Sequence, residues 1–240
     1  MTFLASVFHT FVTNWTSTAR TGQLSCPAVE TYVVRVWLPD EPGALGRVAS
    51  QIGEIGGDVV GIEILERGAG QAVDELTVAL PAGASLDGLL AQIASVPGVA
   101  IEDVRAVVGD RPDVAIVSLE VAARLVELEP CKRIDGLAHE VLELFEASWA
   151  SVIDADTGTA LVELGSGPES AWLAAFVLGS RHLEPEDRSS AIPADLAWAR
   201  IDSRNQVITV GRAAPFRARE RRQMVTLARI ASGLLVGPPA

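Results

Sequence analysis

Residues 32–45 read Tyr-Val-Val-Arg-Val-Trp-Leu-Pro-Asp-Glu-Pro-Gly-Ala-Leu and combine a strand, a turn and the start of a helix. The first six of these residues are rich in the β-branched and aromatic side chains that favour a buried strand. From Ala44 to Ile55, apolar residues recur at helical spacing, and Gly56-Gly57 ends that pattern. The segment therefore predicts a strand followed by an amphipathic helix.

The turn between this strand and this helix is suited to holding a ligand rather than to catalysis. Pro42 fixes φ near the helix entry, Gly43 permits a close approach, and Asp40 is expected to cap the first free N–H groups. A helix start also attracts anions. The turn thus offers donors to a carboxylate and, in Asp40, an acceptor for an ammonium group, and these two groups together describe a free amino acid.

The pattern continues through four further elements as far as residue 108. They are a strand at 59–65, a strand at 72–80, a helix from Ser85 and a strand at 99–108. Within the second of these strands, Asp74-Glu75 is expected to form an exposed patch. The order βαββαβ predicts two helices on one face of a four-stranded antiparallel sheet, the ferredoxin-like arrangement.

The second half of the chain also predicts an α+β fold, with a helical lead-in followed by strands. Helices are expected at 117–128, 134–147, 171–178 and 216–235, and strands at 149–153, 160–164, 196–201 and 206–212. Residues 109–112 are interpreted as a linker. The predicted organisation is a flexible leader at 1–29, a first domain at 30–109 and a second domain at 110–240.

Composition excludes several classes of function. The net charge of −12 and a pI near 4.7 disfavour nucleic-acid binding, which needs a basic surface. No apolar run reaches the roughly 20 residues that cross a bilayer, so no membrane association is predicted. Cys26 and Cys131 lie far apart without metal-ligand neighbours, so a cytoplasmic protein without a metal or cofactor is expected.

Residues 31–108 resemble the ACT domain, a small-molecule regulatory module of amino-acid metabolism. The resemblance rests on the βαββαβ order, on the sequence of residues 40–45 and on Gly57-Asp58-Val59-Val60 at the second strand. It implies a homodimer that holds an amino acid between the first loop of one copy and the second strand of the other. Serine-binding members often have Asn where this chain has Asp40 and Asp58. The implied ligand-binding residues are Leu38, Asp40, Glu41, Pro42, Gly43, Ala44, Leu45, Gly57, Asp58 and Val59.

Residues 113–236 more distantly resemble a GAF-like sensory domain. The resemblance rests on Glu143-Leu144-Phe145 before the Trp149 strand, and near the end on Val210-Gly211-Arg212, Phe216 and Glu220-Arg221. It implies a second module for binding or dimerisation without specifying a ligand. The predicted fold class is thus a ferredoxin-like ACT domain followed by a GAF-like α+β domain.

Other motifs are interpreted as structural. His139-Glu140 lacks the second His of a zinc-binding helix, and Gly165-Ser166-Gly167 is a turn rather than a nucleophile elbow or a dinucleotide fingerprint. The charged run at residues 217–222 is expected to form a solvated helix face. Three tryptophans of the second half are expected to fill its core, namely Trp149, Trp172 and Trp198.

These observations favour a non-enzymatic regulator that senses a free amino acid and transmits the signal to a partner enzyme or to its own second domain. Two alternatives stay open. One is an enzyme with a site in the second half, where His139, His182 and Lys132 are the obvious proton carriers. The other is a dimerising scaffold whose pocket is empty.

Overall fold

The computed structural model describes residues 30–107, 113–180 and 193–235. The predicted leader at 1–29 and the predicted linker at 109–112 lie outside the described residues. The domain boundaries proposed from the sequence therefore stay predictions.

The first half has the expected βαββαβ order. Its elements are β1 (Glu30–Pro39), α1 (Ala44–Glu54), β2 (Asp58–Gly68), β3 (Gln71–Leu80), α2 (Leu86–Ala94) and β4 (Ala100–Val107). The four strands form an antiparallel sheet in the order β2-β3-β1-β4. The predicted ferredoxin-like topology is confirmed, and β2 is longer than its apolar pattern indicates.

One face of this sheet is buried under the two helices. Alternate residues of β1, Val34 and Val36, pack against Val48 of α1 and Leu89 of α2 in a single apolar core. The side chain of Ser85 accepts a hydrogen bond from the Gly88 amide at 3.0 Å and caps α2 as its sequence predicts. The opposite face of the sheet is free of α1 and α2, and it carries the buried ion pair of Arg35 and Glu75.

The second half contains a second four-stranded antiparallel sheet. Its strands are ordered β6-β5-β8-β7, and every strand pair is antiparallel. Among the described residues of this half, two α-helices precede the sheet, one lies between its strands and one follows it as far as Leu235, so the predicted α+β class is confirmed. The elements are α3 (Val114–Glu127), α4 (Arg133–Leu144), β5 (Trp149–Asp154), β6 (Ala160–Gly165), α5 (Ser170–Ser180), β7 (Leu196–Ile201), β8 (Gln206–Gly211) and α6 (Ala218–Leu235).

Both faces of this second sheet are covered. On one face, Val152 and Ile208 pack against helices α3, α4 and α6 in the larger apolar core. On the other face, Ile153 packs against Leu173 and Val177 of α5. Because successive strand residues point to opposite faces, neighbouring residues of β5 serve different cores.

Candidate functional site

The first loop has a backbone that requires glycine. Gly43 is the N-cap residue of α1 and has φ of +86°, a left-handed conformation that other residues rarely adopt. A Cβ atom at this position would meet only the end of the Arg47 side chain, at 3.8 Å. The conformation of the turn, rather than lack of space, therefore explains this glycine.

Asp40 is not the helix cap that the sequence predicts, because the N-cap is Gly43 and no side chain caps α1. Pro42-Gly43 places the helix start too far along the chain for Asp40 to reach it. The Asp40 amide instead donates to the Gly70 carbonyl at 3.0 Å, and its carboxylate lies 3.8 Å from the Arg67 guanidinium. Asp40 is thus an exposed carboxylate at the end of the β2–β3 hairpin.

The start of α1 leaves backbone donors open next to this loop. Glu41 and Gly43 accept hydrogen bonds from the amides of Ala44 and Arg47, at 3.2 and 3.0 Å. Leu45 and Gly46 occupy the positions whose amides a helix start leaves without an intrahelical acceptor. Glu41 also forms a solvent-exposed salt bridge with Arg47, at 2.6 Å.

The predicted site residues lie at the two opposite ends of α1. Leu38 and Ala44 are buried in the apolar core, so they hold the loop in place, whereas residues 40–43 are exposed. Gly57, Asp58 and Val59 lie beyond the other end of α1, which has 11 residues. A helix of that length spans about 16 Å. A single chain therefore does not bring Asp58 to the first loop.

The structure adds Asp74 to the candidate site, although the sequence predicts that Asp74-Glu75 forms an exposed patch. That prediction is wrong, since Asp74 is 4% exposed and Glu75 is buried as well. Asp74 lies on β3 between Val36 of β1 and Ile64 of β2. Its Oδ1 atom has no hydrogen-bond partner among the described residues. Strand alternation places Asp74 on the same face as the core residue Leu76, so the period of β3 already carries this information.

The electrostatics of Asp74 connect it to the first loop. Burial raises the pKa of the Asp74 carboxyl above its ordinary value, Arg67 opposes this rise, and the negative charge of Asp40 adds to it. Two carboxylates, Asp40 and Asp74, therefore share the field of one arginine. Such an arrangement favours one further positive group, because an added ammonium would neutralise the remaining charge.

A second cluster lies on the outer face of the first sheet and connects it to the second half. Arg35 is 1% exposed, and its guanidinium donates to Glu75 Oε1 at 2.7 and 3.0 Å. It also donates to the Pro215 carbonyl at 2.6 Å and lies 3.2 Å from Glu220 of α6. A side chain of β1 is therefore held by acceptors from both halves of the chain.

The predicted solvated face at residues 217–222 is wrong for three of its members, Arg217, Glu220 and Arg221, the last of which donates from its guanidinium to the Leu196 carbonyl at 2.7 Å. The Arg217 guanidinium lies 4.6 Å from the ring centroid of Trp37 and donates from Nε to Glu102 at 3.2 Å. Glu220 is buried, and it accepts hydrogen bonds from the Arg217 amide at 2.8 Å and from the Arg212 guanidinium. The start of α6 is thus buried against the outer face of the first sheet.

Other sequence candidates lie at separate positions. The exposed His139 donates from Nδ1 to the Asp135 carbonyl at 2.8 Å, and Lys132 pairs with Glu129 on the surface, whereas His182 lies outside the described residues. Trp149 and Trp198 pack against the core, but Trp172 is an exposed side chain, contrary to its predicted role. Within the described ranges, no cluster of potential metal ligands occurs, and no helix is both long and apolar enough to cross a membrane.

No protein-family model matches the chain, and no curated protein matches it. Several solved structures are weakly similar. An unknown protein from Galdieria sulphuraria is 14% identical, with coverage of 55% of this chain and 76% of its own and a TM-score of 0.31. A formyltetrahydrofolate deformylase from Pseudomonas putida KT2440 is 17% identical, with coverage of 40% and 38% and a TM-score of 0.29. A bacteriophytochrome from R. palustris is 12% identical, with coverage of 73% and 47% and a TM-score of 0.38. The chain spans less than half the length of the last two proteins, and similarity at this level carries no argument about function.

Proposed function

We propose that this chain is a non-enzymatic regulatory protein that binds a free amino acid beside the first loop, between two copies of the chain. The observation that supports the proposal is the pair Asp40 and Asp74 around Arg67. Asp74 is buried with an unpartnered oxygen among the described residues, and it shares a single arginine with a second carboxylate. Burying such a group is costly unless a partner arrives.

A zwitterion matches the groups around this loop. Its ammonium would bind between Asp40 and Asp74, where negative charge is in excess. Its carboxylate would accept from the open amides at Leu45 and Gly46, which a helix start directs toward anions. The ligand thus meets opposite charges at its two ends, which is the recognition that the ACT-like sequence pattern implies.

The edge of the first sheet supports the dimer. β2 is an edge strand, and it exposes Val60, Ile62 and Ile64 by 59, 48 and 38%. An exposed apolar edge strand is a template for pairing with another chain. A two-fold axis would set two copies of β2 antiparallel. The start of one strand, with Asp58 of the partner subunit, would then lie beside the end of the other and near its first loop.

The signal would pass along β1. This strand ends in the first loop and carries Arg35 on its outer face, and Arg35 contacts Glu220 at the start of α6. A ligand that changes the position of the loop would therefore act on a strand that is joined to the second half by a salt bridge. We infer that the second half, or a partner protein bound to it, reads this change.

Titration with the twenty amino acids tests the proposal. One or a few of them should raise both the melting temperature and the dimer fraction in sedimentation, because a ligand held between two copies stabilises the dimer by mass action. A hundredfold excess over Kd corresponds to about 2.7 kcal/mol. Asp40→Ala should weaken this response by more than it lowers the stability of the unliganded protein.

Asp87→Ala is the matched control, since Asp87 is an exposed acid in the first turn of α2 and lies outside the proposed site. It should leave the response intact. A dimer that forms with no amino acid and responds to none would instead identify a scaffold. A monomer that responds to none of the twenty would contradict both interpretations.

Asp74→Asn is expected to stabilise the unliganded protein near pH 7 and to weaken its response to the amino acid. The folded protein holds the Asp74 proton more tightly than the unfolded chain, whose pKa is near 3.8. The free energy of unfolding should therefore fall as pH rises from about that value through the raised folded pKa. Asparagine does not ionise, so the variant should lack this decrease and gain about 1 kcal/mol at neutral pH. Urea unfolding of the parent chain and of Asp74→Asn from pH 4 to 7 measures this difference in stability. Parallel pH profiles for the two proteins would contradict the raised pKa of Asp74 in the folded state.

A further inference from the structure

A cavity of about 400 Å³ lies in the second half, between the second sheet and the start of α5. Its lining includes Trp149 and Ser151 of β5, Glu163 of β6, and Glu169, Ser170 and Leu173 at or near the start of α5. In the sheet, Ser151 lies directly opposite Glu163 on one side and Thr209 on the other. All of its lining residues belong to the second half, so the cavity is separate from the first loop and from the proposed amino-acid site.

Ser151 is a buried hydroxyl group that lacks a partner among the described residues. The residue is 3% exposed, and its Oγ atom makes no hydrogen bond to any of them. The neighbouring Thr209 hydroxyl donates to the Ser151 carbonyl at 3.2 Å, so that hydroxyl is satisfied. An unsatisfied buried hydroxyl costs free energy that a bound polar group would recover.

The charge around the cavity is negative. Glu163 and Glu169 belong to its lining, and none of the described lining residues is Lys, Arg or His. Glu163 accepts from the Ser170 hydroxyl at 2.6 Å through Oε1, one of its two carboxylate oxygens. The start of α5 also faces the cavity, but the two carboxylates offset the positive end of that helix. An anion would meet two like charges there, whereas a cation would meet two opposite ones.

The wall of the cavity is held by close packing. A Cβ atom at Gly167 would lie 2.9 Å from the Trp149 ring, and one at Gly211 would lie 2.3 Å from it, so both glycines lie directly against the indole. A side chain that is held in this way presents a fixed surface. Small-molecule sites are typically preformed cavities with an apolar wall and a few convergent polar groups.

We propose that this cavity binds a small organic cation that carries a hydroxyl group. The ammonium binds at the Glu163 and Glu169 carboxylates, and the hydroxyl pairs with Ser151 Oγ. The net charge of −12 adds a long-range attraction for cations. The second half thereby has a ligand of its own, and the cavity prefers cations to anions.

Three two-carbon probes test the charge preference on the full chain. Ethanolamine, ethylene glycol and glycolate share one hydroxyl and differ only in an ammonium, a second hydroxyl or a carboxylate. Calorimetry at matched ionic strength should give ethanolamine a Kd at least tenfold below that of ethylene glycol, with glycolate binding weakest. Equal affinity for the three probes, or tightest binding of glycolate, would overturn the proposal.

Variants then locate the binding. Glu163→Gln should reduce ethanolamine affinity to that of ethylene glycol, and Ser151→Ala should weaken it at least threefold with an unchanged or higher melting temperature. Glu127→Gln, an exposed acid on α3, is the control and should bind like the parent chain. If Glu163→Gln retains the parent affinity, the probe binds elsewhere and the cavity is not its site. Neither result depends on the amino-acid response of the first loop.

Discussion

Replacing Arg35 by methionine is expected to lower the free energy of unfolding by about 3 kcal/mol or more, because it leaves a buried carboxylate without its main partner. Arg35 and Glu75 are 1% and 2% exposed and lie 2.7 Å apart. Arg105 also contacts Glu75 at 3.0 Å, but Arg105 divides its donors between Glu75, Asp103 and Glu146. It cannot supply the hydrogen bonds that Arg35 makes to the second half.

Urea unfolding measures this loss, and Arg47→Met is the matched control. Arg47 pairs with Glu41 at a shorter distance of 2.6 Å, but both side chains are about half exposed. Exposed pairs contribute about 0–1 kcal/mol. The double variant Arg35→Met with Glu75→Gln should recover part of the loss, since it removes the orphaned charge. Equal losses for Arg35→Met and Arg47→Met would show that the buried cluster has no special role.

The Arg35 cluster also marks where sequence reasoning fails. Glu75 is 40 residues from Arg35 along the chain, and Glu220 is 185 residues away. Periodicity reports which face of an element is apolar, but it does not report which distant charges meet on the other face. The run 217–222 is thus interpreted as solvated from its sequence, although two of its members pack against the outer face of the first sheet.

The elements themselves are predictable where one face is buried. The alternation of β1 and the helical spacing of α1 indicate the βαββαβ order, and Ser85 marks the start of α2 to within one residue. The site is less predictable. The sequence identifies Gly43 as a site residue, and its φ of +86° explains why glycine is needed there. Because Gly43 is also the N-cap residue of α1, Asp40 does not cap the helix. Asp74 is assigned to the surface when its charge is weighed above its position in an alternating strand.

Gly211→Ala is expected to cost about 1–3 kcal/mol, the range for forcing extra volume into a packed site. The added Cβ would lie 2.3 Å from Trp149 Cε2 and 2.4 Å from Cζ2 and Nε1. Real Cβ atoms do not approach this closely, so the indole must move. Gly167 lies against the same ring, so the displacement would also disturb the loop that lines the proposed cation cavity.

Thermal and urea unfolding of Gly211→Ala and Gly233→Ala separate this clash from the general effect of replacing glycine. Gly233 lies within α6, and a Cβ atom added there would meet nothing within 4 Å, so alanine should add up to about 1 kcal/mol of helix stability. The two substitutions are chemically identical and should have opposite signs. Adding Trp149→Leu to Gly211→Ala should cost less than the sum of the single changes, because the smaller side chain removes the contact. Additive losses would mean that Gly211 is required by the backbone rather than by the indole, and the wall of the cavity would then lack the rigidity that its proposed function needs.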